Sequence, residues 1–197
     1  MKKFLLYFVT FILAPSFTTT ANAQTDTVHM KIMNISMGEK YESFKVKIQQ
    51  KGFKENGMME DGSALNGKFF DDRVNLSIVR SPVSDVVSEI FIMFYGDLRF
   101  EPVYQKYLNY IDALSEKYGK PTDLSDSGSY EPLNKNYKSD LDILKKDGKE
   151  YFTSWILPEG GIELAITDRY VLCLTYFDRI NLDIHTKELK QIINETF

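Results

Sequence analysis

The sequence VVSEIFIMFY at residues 86–95 is followed closely by EPVYQKYLNYIDALSEKYGKP at residues 101–121. The first stretch is β-branched and aromatic and becomes apolar on both faces, which is typical of a strand in the middle of a sheet. The second repeats apolar residues at helical spacing from Tyr104 to Tyr118, has a proline in its first turn and ends at Gly119. We therefore predict a central strand followed by an amphipathic helix that covers the sheet.

A similar order of elements extends to both sides of this stretch. Upstream, a narrow apolar strip predicts a helix over residues 38–51 with a cap at Gly52, followed by several strand patterns. Downstream, strands are predicted over residues 151–177, and a last helix begins near Asn181 or Asp183. Short hairpins between the strands favour antiparallel pairing. The predicted fold class is α+β, an antiparallel sheet with helices on one face.

Turn signals divide the remaining chain. Asn56–Gly57 and Asp61–Gly62 are read as turns, and residues 158–161 (PEGG) as a hairpin turn. Residues 122–150 are predicted to be a long polar connection that holds a short helix around Leu141–Lys145. Asp71–Asp72 is read as a further turn.

The order helix, strands, helix, strands indicates two units and a closing helix. The predicted halves are residues 30–97 and 101–178, and the closing helix covers residues 181–197. The halves share little sequence identity. A true structural repeat and two unrelated halves therefore both remain open.

The first 23 residues predict a secretory signal peptide. Lys2 and Lys3 form a positive start, residues 4–13 are apolar apart from Thr10, and Ala21-Asn22-Ala23 is a small-residue cleavage site. The apolar run is far shorter than the ~20 residues that span a bilayer. We expect residues 24–197 to form one exported domain, periplasmic or extracellular, with no membrane span after cleavage.

Composition limits the remaining classes. The chain has 197 residues, 43% hydrophobic and 26% charged, with a net charge of −4 that becomes −6 without the two lysines of the predicted signal peptide. This mild acidity argues against nucleic-acid binding, which needs a basic surface. The single Cys173 excludes an internal disulfide framework.

The sequence carries no recognisable catalytic motif. Of its two histidines, His29 is placed in a polar leader and His185 on the surface of the last helix. Cys173 is predicted to be a buried structural residue, although a Cys173–His185 dyad stays open. We predict no catalytic residue, no metal site and no cofactor. The sequence therefore favours a protein that is not an enzyme.

Aromatic residues are the remaining candidates for a functional role, since the chain has 12 Tyr, 14 Phe and 1 Trp. Trp155, Tyr170 and Tyr176 are predicted to bind a partner if their strand faces point away from the helices, because Tyr and Trp are enriched at interfaces. Three tyrosines of the central helix are expected to line the seam between helix and sheet: Tyr104, Tyr107 and Tyr118.

Several short motifs resemble those of uncharacterised exported proteins of Bacteroides-type bacteria. They are Met37-Gly38, Phe44, Lys51-Gly52-Phe53, Leu65-x-Gly67-x-Phe69, Lys117-Tyr118-Gly119-Lys120-Pro121 and Asp178-x-x-Asn181. The helix-then-sheet units are also similar in outline to β-lactamase-inhibitor-like proteins and to the small lipoprotein of the outer-membrane barrel-assembly machinery. These resemblances imply protein binding through a sheet face. The motifs themselves are caps and turns.

The sequence thus predicts an exported binding module whose partner is a protein or a cell-envelope component. Two alternatives remain open. A hydrolase of envelope polymers requires a deep pocket with two acids of raised pKa. A small-ligand carrier requires an apolar cavity between helices and sheet.

Overall fold

The computed structural model describes residues 28–59, 62–96, 99–125, 151–167 and 169–196. Within these residues the fold is α+β, with three helices and ten strands. In chain order the elements are β1 (Lys31–Ile32), β2 (Ile35–Ser36), α1 (Tyr41–Gln50), β3 (Lys54–Met59), β4 (Gly62–Phe69), β5 (Asp72–Arg80), β6 (Val87–Phe94), α2 (Phe100–Tyr118), β7 (Asp123–Ser125), β8 (Tyr151–Leu157), β9 (Gly160–Ile166), β10 (Leu172–Asp178) and α3 (Arg179–Thr196). The predicted signal peptide and the helix predicted at residues 141–145 lie outside the described residues.

The main sheet has the strand order β3-β4-β5-β6-β10-β9-β8-β7, and β1 and β2 form a separate small hairpin. Every neighbouring pair of strands is antiparallel. The strand β6 pairs with β10 in the middle of the sheet. This central position is the one predicted from a sequence that is apolar on both faces. On each side of that junction a helix precedes a four-stranded meander, α1 with β3–β6 and α2 with β7–β10. A common origin of the two units stays a prediction.

The helices α1 and α2 pack on the same face of the sheet. Residues opposite each other on paired strands share a face, and one row crosses six strands through Leu65, Leu76, Ile92, Leu174, Leu164 and Thr153. The Tyr107 hydroxyl of α2 hydrogen-bonds to Thr153 in this row. The Tyr41 hydroxyl of α1 bonds to Ser63, two residues before Leu65 on the same face. We call this the helix face and the opposite one the far face.

The predicted C-terminal ends of α1 and α2 are confirmed, whereas α1 begins at Tyr41 and not at residue 38. Gly52 and Gly119 have φ values of 95° and 85°, in the left-handed region where glycine carries no steric cost. The amide of Gly52 donates to Gln49 O and that of Gly119 to Ser115 O, which completes both last turns.

The predicted start of the last helix is wrong by two residues or more. Helix α3 begins at Arg179, directly after β10. The Asp178 carboxylate accepts the backbone N–H of Asn181 at 2.9 Å, so Asp178 is the residue that caps the helix. A strand that runs into a helix without a loop leaves no turn signal in the sequence.

The predicted turn at Asn56–Gly57 is also wrong. Both residues lie inside β3, and the β3–β4 register shifts between Glu55 and Gly57. All six residues of this edge strand are exposed, so no apolar alternation marks it. The bulge and Lys54 blunt the free edge against further strand pairing.

The hairpin turn predicted at residues 158–161 is shorter in the structure, because β9 already begins at Gly160.

A Cβ atom on Gly160 would lie 2.0 Å from the Phe177 carbonyl oxygen. The Phe177 backbone is held in the sheet and cannot move to make room, as a flexible side chain could. Gly160→Ala is therefore expected to lower the free energy of unfolding in urea by about 1–3 kcal/mol. The control Gly57→Ala, whose Cβ would meet no atom within 4 Å, is expected to change it by less than about 0.5 kcal/mol. Equal losses in the two variants would contradict the steric argument.

Candidate functional site

The three aromatics predicted to bind a partner are buried. Trp155, Tyr170 and Tyr176 are 1%, 7% and 4% exposed. Trp155 lies on the helix face, where its Nε1 donates to Gly119 O at 2.9 Å just after α2. They therefore form no exposed patch, and their role in binding stays a prediction. Of the three, Tyr176 borders a surface cleft.

The placement of His29 in a free leader is wrong. Its Nδ1 lies 3.0 Å from Asp178 Oδ2, and its ring occupies the space that a Cβ on Gly38 would need. His185 is half-buried, and its Nδ1 lies 3.4 Å from the Ser88 hydroxyl. Each histidine thus has a polar side chain as its neighbour. His29 and Asp178 are brought together from opposite ends of the sequence.

The pair Asp178 and Asn181 forms a buried junction. Asp178 is 0% exposed, and its Oδ2 accepts the Met30 N–H at 2.8 Å. The Asn181 side-chain amide donates to the backbone oxygens of Met37 and Val87. These contacts fasten the N-terminal hairpin, β6 and α3 to one another. The motif Asp178-x-x-Asn181 is therefore structural, as its reading as a cap implies.

Cys173 is buried on the far face of β10. Burial raises the pKa of its thiol to about 12, so the nucleophilic thiolate is scarce at neutral pH. A buried structural role is the one this environment supports.

The far face is ordered as three rows across the sheet. The first row contains Phe152, Ala165, Cys173, Met93, Asn75 and Asn66. The second contains Ser154, Glu163, Thr175, Phe91, Ser77 and Ala64. The third contains Ile156, Gly161, Phe177, Glu89 and Val79.

The large side chains of these rows are only partly covered. Phe91, Met93, Phe152 and Phe177 are half-buried, and Ile156 is 42% exposed. The Phe177 ring lies over Gly161, where a Cβ atom would be 2.1 Å from the ring. Two outer rows rich in apolar atoms thus flank a more polar middle row.

Two acids lie among these apolar side chains. Burial, and secondarily the nearby charge of Glu163, raises the pKa of Glu89 to about 7. Burial also raises the pKa of Glu163. Glu89 was not predicted from the sequence, because it lies inside a run that is apolar on both faces. A glutamate in a predicted central strand is itself a signal, since an unpaired charge is costly to bury.

The hydrolase alternative predicted two acids with raised pKa values, and the far face supplies Glu89 and Glu163 on adjacent rows. It also requires a deep pocket, and these acids lie on a half-exposed sheet surface. The hydrolase stays a prediction.

Within the part of the chain that the structure covers, no three His, Cys, Asp or Glu side chains come together as a metal-binding group. None of the described helices is long and apolar enough to cross a bilayer.

A comparison of the chain with protein-family models, curated proteins and solved structures found no match.

Proposed function

We propose that this chain is an exported binding module that holds a protein of the cell envelope against its far face. The proposal rests on large apolar side chains that are only half-buried on that face: Phe91, Met93, Phe152 and Phe177. Helices α1 and α2 pack on the other face. Half-exposed aromatic and Met side chains in one contiguous area are typical of interaction surfaces.

The geometry favours an extended apolar segment as the part of the partner that is bound. The two outer rows run across the strands, with Phe152 and Met93 in one and Ile156 and Phe177 in the other. A segment laid along them would cover its apolar side chains and theirs. Burial of apolar area is the main source of affinity in such contacts.

The acids give this partner a charge preference. Glu89 and Glu163 lie between the apolar side chains, and the whole chain has a net charge of −4. A Lys or Arg of the partner placed near them would favour their ionised forms. We infer that the bound segment combines apolar side chains with a basic one.

Site-specific photocrosslinking tests the proposal. A photoreactive phenylalanine analogue is introduced in place of Ile156 on the far face, or in place of Ile193 on α3 as the control. The two side chains are 42% and 56% exposed, so accessibility does not separate them. Position 156 is expected to yield one discrete adduct in intact cells, and position 193 is expected to yield none.

The adduct at position 156 is then challenged with Phe91→Ser and Met93→Ser. Loss of two interface side chains is expected to reduce its yield at least about tenfold, while circular dichroism shows retained folding. Ile192→Ser, an exposed change on α3, is the matched control. Equal adducts from positions 156 and 193, or a yield unchanged by the far-face substitutions, would overturn the proposal.

A further inference from the structure

A cleft separate from the far face opens between the β1–β2 hairpin and the C-terminal half of α2. Its volume is about 290 Å³. The tip of the hairpin, Met33 and Asn34, forms one wall, and the β4–β5 turn with Phe70 forms another. Tyr176 lines it from the helix face of β10. Pockets for small ligands start at roughly 300 Å³, so this cleft has room for one ring and a short side group.

Aromatic rings dominate the walls. The Phe70 ring packs edge-on against Phe69, with centroids 5.0 Å apart, and lies 6.3 Å from the Tyr110 ring. Tyr118 and Tyr176 also line the cleft. An aromatic guest would meet ring edges and faces at the geometries that such rings prefer.

Phe70 is an unusual residue for its position. It has a φ of 52°, in the left-handed region, and its side chain is 77% exposed. Two-residue hairpin turns normally place Gly, Asn or Asp there, because a bulky side chain costs free energy in this conformation. An exposed ring gains little from folding in return. Backbone strain at a cleft wall points to a role in binding.

The hairpin tip shows the same feature at Met33, whereas Asn34 is a residue that suits this conformation. Met33 and Asn34 have φ values of 50° and 65°, and both line the cleft. Two turns with non-glycine residues in the left-handed region thus face one opening. The non-glycine side chains at both turns supply lining surface that glycine would lack.

The cleft has a cationic residue in its lining. Lys117 lines the cleft, and its ammonium lies 4.8 Å from the centroid of the Tyr118 ring. Among the described residues, Lys117 forms no ion pair with a carboxylate. The nearby cation Lys106 is by contrast paired with Asp72. Lys117 is therefore available to an anionic group of a ligand.

We propose that this cleft binds a small aromatic monocarboxylate, with its ring against Phe70 and its carboxylate at Lys117. The site is independent of the far face and of the macromolecular partner proposed for it. The size of the cleft sets the single ring, the walls set its aromatic character and Lys117 sets its charge.

Calorimetric titration of the purified protein with phenylacetate and benzoate, two carboxylates that carry a single ring, tests the ligand class. Micromolar to millimolar binding with one site is expected. Phenylacetamide, the neutral analogue of phenylacetate, is expected to bind at least about tenfold more weakly, because it lacks the charge that Lys117 recognises. Absence of binding by both carboxylates, or equal binding by the amide, would overturn the proposal.

Three exposed positions separate the site from the fold. Ala113→Leu adds side-chain volume on the cleft side of α2 while keeping a good helix former, and it is expected to abolish binding. Lys117→Gln is expected to weaken binding of phenylacetate but not of phenylacetamide. Lys190→Gln, an exposed lysine on α3, is the control and is expected to change neither.

Phe70→Asn gives the sharpest result. Asparagine suits the left-handed turn, so the melting temperature is expected to stay unchanged or rise. Phenylacetate affinity is expected to fall at least about tenfold because one wall is lost. A variant that melts lower yet binds phenylacetate normally would assign Phe70 to folding alone and overturn its role in the site.

Discussion

Replacing Asp178 with alanine is expected to lower the free energy of unfolding by about 2–4 kcal/mol, measured by urea denaturation. The side chain is 0% exposed, and its carboxylate accepts the backbone N–H groups of Met30 and Asn181 at 2.8 and 2.9 Å. Alanine leaves both donors, and the first turn of α3, without this acceptor. An unsatisfied buried donor costs about 1–3 kcal/mol, and a lost helix cap about 1 kcal/mol.

Two further variants make this prediction specific. Asp183→Ala, in the first turns of the same helix, removes an exposed carboxylate paired with Lys187 and is expected to cost less than about 0.5 kcal/mol. Asp178→Asn retains one acceptor oxygen and is expected to fall between the two. If Asp178→Ala costs as little as Asp183→Ala, the junction does not hold the hairpin, β10 and α3 together.

Local signals in the sequence predicted the parts of the fold that depend on local physics. The spacing of apolar residues and the glycine at its end identify α2, and the doubly apolar run identifies β6 as central. In both cases the deciding residues lie within one turn or one strand of each other. Gly52 and Gly119 adopt the left-handed conformation that their positions predict.

Elements defined by distant contacts were harder to predict. His29 and Asp178 are 149 residues apart in sequence, so nothing local indicates that the N-terminal segment is fixed. The start of α3 is set by a cap that also ends a strand. The exposed β3 has no alternating pattern, because neither of its faces is buried.

The sequence did not indicate which strand aromatics are left partly exposed, and binding by any of them stays a prediction. Binding by aromatic residues on strands was expected from Trp155, Tyr170 and Tyr176, and the structure buries all three. Phe91 and Phe177 lie on the far face instead. In β8 and β10 both faces carry aromatic residues, Trp155 and Phe152 in β8 and Tyr176 and Phe177 in β10, so the sequence does not distinguish the two faces. Only the strand order and register decide between them.

Raising the pH from 5 to 8 is expected to destabilise the protein by on the order of 3 kcal/mol more than the Glu89→Gln variant. Burial, with a contribution from Glu163, raises the pKa of Glu89 from 4.5 to about 7. Between these values the folded chain holds a proton that the unfolded chain has released. Stability therefore falls as the pH rises through this window, by about 1.4 kcal/mol per pH unit. Urea denaturation at several pH values measures the difference.

Two variants show whether this pH dependence belongs to the far face. Glu116→Gln removes an exposed carboxylate from α2 and is expected to leave the pH dependence unchanged, whereas Glu163→Gln removes one cause of the raised pKa and is expected to reduce it. Parallel curves for the wild type and Glu89→Gln would mean that Glu89 is ionised and hydrated in the folded state. Unequal curves would mean that Glu89 carries a proton at pH 5 and loses it near neutrality. A basic partner on the far face would then lower the pKa of Glu89 and release that proton, so its affinity would rise with pH over the range in which the free protein becomes less stable.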